Sequence, residues 1–114
     1  MDQTVERKSF LFAVRIVKLS NHLNTTKKEY VLSKQLLRCG TSIGANIAEA
    51  VYGSSRNDFV FKLQIARKEA AETIYWLELL FSGAYLTEQQ YTSLKSDCVE
   101  LIAMLSSSIK SCEK

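Results

Sequence analysis

The chain has 114 residues, no proline, four glycines and a formal net charge of +3, which suits one core-forming domain spanning 1–114 with nothing to interrupt long helices. No apolar run approaches the roughly 18–20 residues of a membrane span, and residues 1–8 are polar rather than leader-like. Cys39, Cys98 and Cys112 have no C-x-x-C spacing, so no disulfide framework or zinc site is signalled and a cytoplasmic protein with reduced thiols is expected.

The first periodic segment predicts a helix over 4–23. Val5, Phe12, Ile16, Leu19 and Leu23 form one apolar stripe, and Phe10, Val14 and Val17 form a second beside it. Together they cover roughly 220° of the helix, more than a lone bundle needs, which predicts a subunit interface. Arg7, Lys8, Arg15 and Lys18 share the remaining face as a basic ridge.

A turn at "NHLNTTKKE" follows, with Thr26 and Glu29 spaced as a capping box that would open a second helix over 27–52. Leu32, Leu36, Cys39, Ile43, Ile47 and Ala50 supply its core stripe. Gly40, Gly44 and Ala48 fall at four-residue steps on one flank. Each mid-helix glycine costs about 1 kcal/mol of propensity, so close approach of a neighbouring helix is expected there. Gln35, Arg38, Ser42, Asn46 and Glu49 form a polar seam on the other flank, and such half-buried groups need partners. Arg56, Asp58, Glu69 and Glu72 on the next helix, or the same seam on another subunit, are the candidates. The seam reads as a register-fixing or assembly network, as a ligand groove, or, least well, as a catalytic site. A phosphate loop is excluded because no G-x-x-x-x-G-K-[ST] and no strand pattern is present.

At "YGSSRND", Gly53 is expected in the left-handed position and Ser55 with Asp58 as a capping box, opening a third helix over 55–82. Phe59, Leu63, Ala66, Ala70, Thr73, Leu77 and Leu80 form its inward stripe. Gly83 closes that helix. Thr87 with Gln90 caps a fourth over 87–112, with Leu86 and Tyr91 as a hydrophobic staple and Tyr91, Leu94, Cys98, Leu101, Leu105 and Ile109 facing inward. Four helices of similar length on short connections predict an all-α, antiparallel, up-down-up-down four-helix bundle.

The segment "QLLRCGTSIGANIAEAVYGSSRNDFVFKLQIARKEAAE" resembles the central signature of the four-helix-bundle proteins encoded in 23S rRNA intervening sequences. Gln35, Arg38, Ser42, Ile43, Asn46, Glu49, Arg56, Asp58, Phe59, Ile65, Ala66 and Glu72 occupy the motif positions. Cys39, Ala50 and the Lys68-Glu69 pair depart from it. The resemblance implies a cytoplasmic, ring-like homo-oligomer, commonly a pentamer. It also implies a distant relation to the accessory protein of diversity-generating retroelements, a basic barrel that binds nucleic acid and a reverse transcriptase. Neither an activity nor a cofactor comes with it.

The charges are unevenly placed. Residues 1–68 hold 12 Lys and Arg against 5 Asp and Glu, and residues 69–114 hold 3 against 7. The expected function is therefore non-enzymatic binding of RNA or DNA through Arg7, Lys8, Arg15, Lys18, Lys27, Lys28 and Lys34, as sequence-tolerant phosphate contacts. No base-reading helix or stacking platform is recognisable. The competing expectation is a protein–protein adaptor, for instance for a polymerase-type partner. The single histidine, His22, has no partner at ligand or catalytic spacing, so neither a metal site nor a nucleophile–base pair is expected.

Overall fold

In the computed structural model, which describes residues 3–53 and 55–113, four helices follow one another: α1 Gln3–Thr25, α2 Leu32–Val51, α3 Arg56–Ser82 and α4 Glu88–Cys112. They form a four-helix bundle 45 Å long and about 20 Å across, with extents of 45 × 21 × 19 Å. Each helix packs on its chain neighbour and α4 returns to α1, while among the described residues the backbones of the diagonal pairs α1/α3 and α2/α4 stay apart across the core. The packing is uneven. The α2/α3 pair is the closest and the α1/α4 pair the most widely spaced.

The inward stripes are where the sequence puts them. Phe12, Ile16, Leu23, Leu36, Ile43, Ile47, Leu63, Leu77, Leu80, Leu101 and Leu105 are fully buried in one continuous core, with Val5, Leu94 and Ile109 near its ends. Each such side chain contributes about 1.5–3 kcal/mol by leaving water, and this is what holds helices of modest intrinsic propensity together. Thr73 is the polar member of the α3 stripe; its hydroxyl reaches the Glu69 carbonyl at 2.8 Å and Cys39 Sγ at 3.2 Å, so it is buried without an orphaned donor.

Gly40 and Gly44 serve the close approach expected of them, and the neighbour is α1. A Cβ at position 40 would lie 2.9 Å from Cγ1 and Cγ2 of Ile16, and one at 44 would lie 3.4 Å from the Ser9 carbonyl oxygen. Ala48, the third member of that flank, remains exposed.

The connections differ from expectation at two places. The second helix starts at Leu32, not 27, and the Thr26–Glu29 box does not form. Lys28 takes a left-handed conformation with φ 56°, which stops helical continuation, and the Glu29 amide donates back to the Leu23 carbonyl at 2.9 Å. The Glu29 carboxylate then points forward, accepting from the amides of Val31, Leu32 and Ser33 at 3.1, 3.0 and 2.7 Å. It thus caps α2 from outside the helix, where three free amides and the positive helix end both favour a carboxylate.

At the second connection, Gly53 keeps a negative φ, and only half of the Ser55–Asp58 box is present: Ser55 Oγ accepts from the Asp58 amide at 3.0 Å. At the third, Thr87 and Gln90 form the complete box, with bonds of 2.9 and 3.1 Å. Gly83 closes α3 as expected, with φ −83°, and Ala84 after it takes a left-handed conformation with φ 67°. Tyr91 stacks on Phe81, ring centroids 4.6 Å apart and nearly parallel at 6°.

Candidate nucleic-acid interface

The polar seam of α2 is absorbed within the chain. Arg38 bridges two carboxylates of α3, Glu69 at 3.3 Å and Glu72, and Trp76 Nε1 donates to the same Glu72 oxygen at 2.9 Å. One turn of α2 is thereby pinned to one turn and a half of α3, which fixes their register. Lys62 of α3 reaches Glu49 at 2.9 Å, and this carboxylate holds the Lys62 ammonium's pKa above its usual value. Ser42 donates to the Arg38 carbonyl at 2.6 Å and Asn46 to the Ser42 carbonyl at 2.8 Å, both within α2. Gln35 is exposed, and its side chain makes no hydrogen bond among the described residues. Arg56, expected to face the seam, instead donates to the Cys112 carbonyl at the end of α4, 2.7 Å away, and Asp58 lies against Gly53.

The seam therefore has the composition of a helix–helix clamp. The expectation named Glu69 and Glu72 as partners. It missed Trp76 and Lys62, each one helical step from a named acid on the same helix, a spacing that could have flagged them.

The seven basic residues divide sharply. Lys8 pairs with Glu100 at 2.9 Å. Arg15 pairs with Asp97 at 2.6 Å and also donates to Ser93 Oγ at 3.0 Å. Both pairs cross from α1 to α4, so these two charges are matched within the bundle. Arg7, Lys18, Lys27, Lys28 and Lys34 form no ion pair among the described residues. Arg7 sits near the start of α1. The other four gather toward the end of the bundle where α1 passes into α2. Lys27, Lys28 and Lys34 are exposed around that corner, and Lys18 lines a shallow cleft of about 260 Å³ with Arg15, Leu19, His22, Gln90 and Leu94.

What this arrangement can do chemically is limited and clear. Unpaired ammonium groups at one end of the molecule offer donors suited to phosphates or carboxylates. His22 is in the cleft with two cations and no Ser or Cys lining it. Burial pushes the Cys39 thiol up and drives that of Cys98, with help from Cys39 and Asp97, up to about 12, so neither is an activated thiolate. Among the described residues no three His, Cys, Asp or Glu side chains gather as a metal site, and no helix is long and apolar enough to cross a membrane.

No curated protein matches the chain. Among solved structures, a protein of unknown function from the S23 ribosomal protein family of Bacteroides thetaiotaomicron VPI-5482 superposes with a TM-score of 0.95. The two share 55% of their residues, over 96% of this chain and 97% of that one. Neither comparison carries an enzymatic description. Residues 1–107 match the family described as 23S rRNA-intervening sequence protein, and the chain belongs to that family.

Proposed function

We propose that the protein is a non-catalytic, cytoplasmic, self-associating bundle that binds nucleic acid through phosphate contacts. The observation that carries the binding is the cluster of unpaired Lys18, Lys27, Lys28 and Lys34 at one end of the bundle. Lys8 and Arg15 leave the contact set because their charges are already matched by α4. Ammonium groups around a corner meet phosphates without reading sequence, so binding is tolerant of sequence and sensitive to salt.

Self-association is supported by two apolar strips. Phe10, Leu11 and Val17 on α1 are 63%, 46% and 52% exposed, and Phe61, Tyr75 and Leu79 on α3 are 57%, 57% and 37% exposed. Because α1 and α3 are diagonal, these strips face different directions. Two unlike patches suit head-to-tail contacts that close into a ring, and a pentamer is the form the family resemblance favours. A ring also repeats the lysine corner, raising affinity by avidity.

The test is a salt titration of RNA binding with wild type and the Lys28→Glu, Lys34→Glu double variant. The wild type should weaken steeply as salt rises, and the variant should lose at least about ten-fold at low salt. Wild-type affinity that stays flat from low to physiological salt would sink the reading. The adaptor alternative draws on the α3 strip, with a polymerase-type protein as its partner. It gains if the double variant loses RNA yet still captures that partner.

A further inference from the structure

The corner between α1 and α2 also presents an aromatic ring that neither the core nor the phosphate contacts use. Tyr30 is 58% exposed, and Val31 beside it is 72% exposed. The backbone that carries them is firmly held. Glu29 is buried and accepts from three backbone amides, and Ser33 Oγ lies 2.8 Å from Asn24 Oδ1 and 3.0 Å from the Glu29 carbonyl, placing its single proton between the start of α2 and the end of α1. The ring is therefore displayed on a fixed support rather than on a loose loop.

Its surroundings are specific. Lys27 and Lys28 precede it and Lys34 follows in the first turn of α2, all exposed and without acid partners among the described residues. Lys28 occupies a left-handed position that glycine would fill with less strain, so stability alone does not account for a lysine there. The corner at the opposite end of the bundle gives the contrast. Tyr52 is 89% exposed there, but Lys62 is matched by Glu49 and Arg56 is engaged by the Cys112 carbonyl.

An exposed ring set among uncompensated ammonium groups is the composition with which proteins hold unpaired bases. The ring covers a base face while the ammonium groups meet the flanking phosphates. A duplex hides its base faces and can use only the second of these contacts. We propose that Tyr30 stacks on an unpaired base and that the α1–α2 corner thereby selects single-stranded over duplex nucleic acid. This rests on the phosphate-contact reading and adds to it a ligand form and a stacking residue.

The test follows fluorescence anisotropy of labelled oligouridine and oligothymidine of about 12 nucleotides, and of a duplex of the same length, over a range of salt. The wild type should bind the single strands more tightly than the duplex. Tyr30→Ala should lose roughly 5- to 100-fold on the single strands and less than two-fold on the duplex, with the salt slope unchanged. Tyr30→Trp should retain binding. Lys28→Ala should instead flatten the salt slope on single strands by about 0.7. The sugar of the more tightly held strand identifies RNA or DNA as the ligand, and the Tyr30 effect is expected on that strand. Far-UV melting should show Tyr30→Ala fully folded, since the ring is exposed. Single-strand affinity within two-fold of wild type in Tyr30→Ala, or an equal loss on the duplex, overturns the stacking and leaves the phosphate contacts standing. A wild type that binds none of the three probes overturns both.

Discussion

Glu29 couples ionisation to folding through the cap it makes on α2. Burial alone would raise its carboxyl pKa, but bonds from the Leu32, Ser33 and Val31 amides and from the Ser33 hydroxyl outweigh this and hold it below its usual value of 4.5. A carboxylate whose folded pKa is lowered adds stability above its unfolded pKa and loses it as pH falls through the folded one. Thermal melting of the wild type should therefore fall away below about pH 4.5, and Glu29→Gln should lack that part of the decline. At neutral pH Glu29→Ala should cost about 1 kcal/mol or somewhat more, as losing a helix cap does. The cysteines give a second measurement at this scale. With Cys98 pushed up to about 12 and Cys39 also raised by burial, only the half-buried Cys112 should react quickly with a thiol reagent at pH 8. The other two should react at the rate of unfolding.

Between elements, the glycines of α2 set how closely α1 approaches. Gly40→Ala gains about 1 kcal/mol of helix propensity but drives a methyl to 2.9 Å from the fully buried Ile16, and overpacking costs about 1–3 kcal/mol. Denaturant unfolding should show a net loss for Gly40→Ala, whereas Gly44→Ala, at 3.4 Å from Ser9, should stay within about 1 kcal/mol of wild type. These two glycines were readable because nothing else justifies them in mid-helix. The four helices and their inward faces were readable for a similar reason: the 3.6-residue spacing of Leu63, Ala66, Ala70 and Thr73 admits one buried face. The start of α2 was not. Thr26-x-x-Glu29 satisfies the spacing of a capping box, and whether the glutamate folds back to Thr26 or forward to Ser33 depends on Lys28 adopting a left-handed turn that sequence spacing does not encode. The basic ridge was half-readable. Lys8 and Arg15 share a helix face with Lys18, but Asp97 and Glu100, which neutralise them, lie more than eighty residues away in sequence.

For the whole molecule, the proposed self-association draws on the exposed strips of α1 and α3. Phe10→Glu with Val17→Glu places charges in one strip and leaves the core untouched, so light scattering should report a smaller particle than wild type, while the helical content is retained. An unchanged mass would remove α1 from the interface. If the ring multiplies the lysine corner, the same variant should bind RNA more weakly per subunit although every lysine remains, which separates avidity from local contact.

The wide spacing of α1 and α4 has a consequence for how the bundle opens. Beyond its share of the common core, that seam has only the half-exposed ion pairs Lys8–Glu100 and Arg15–Asp97 among the described residues, each worth no more than about 1 kcal/mol, whereas α2 and α3 share the closest packing and the Arg38 clamp. The molecule is thus a book whose spine is α2/α3 and whose fore-edge is α1/α4. Native-state hydrogen exchange should find the amides of α2 and α3 the slowest, with those of α1 and α4 released first and sooner still at high salt, where the clasps of the fore-edge are screened.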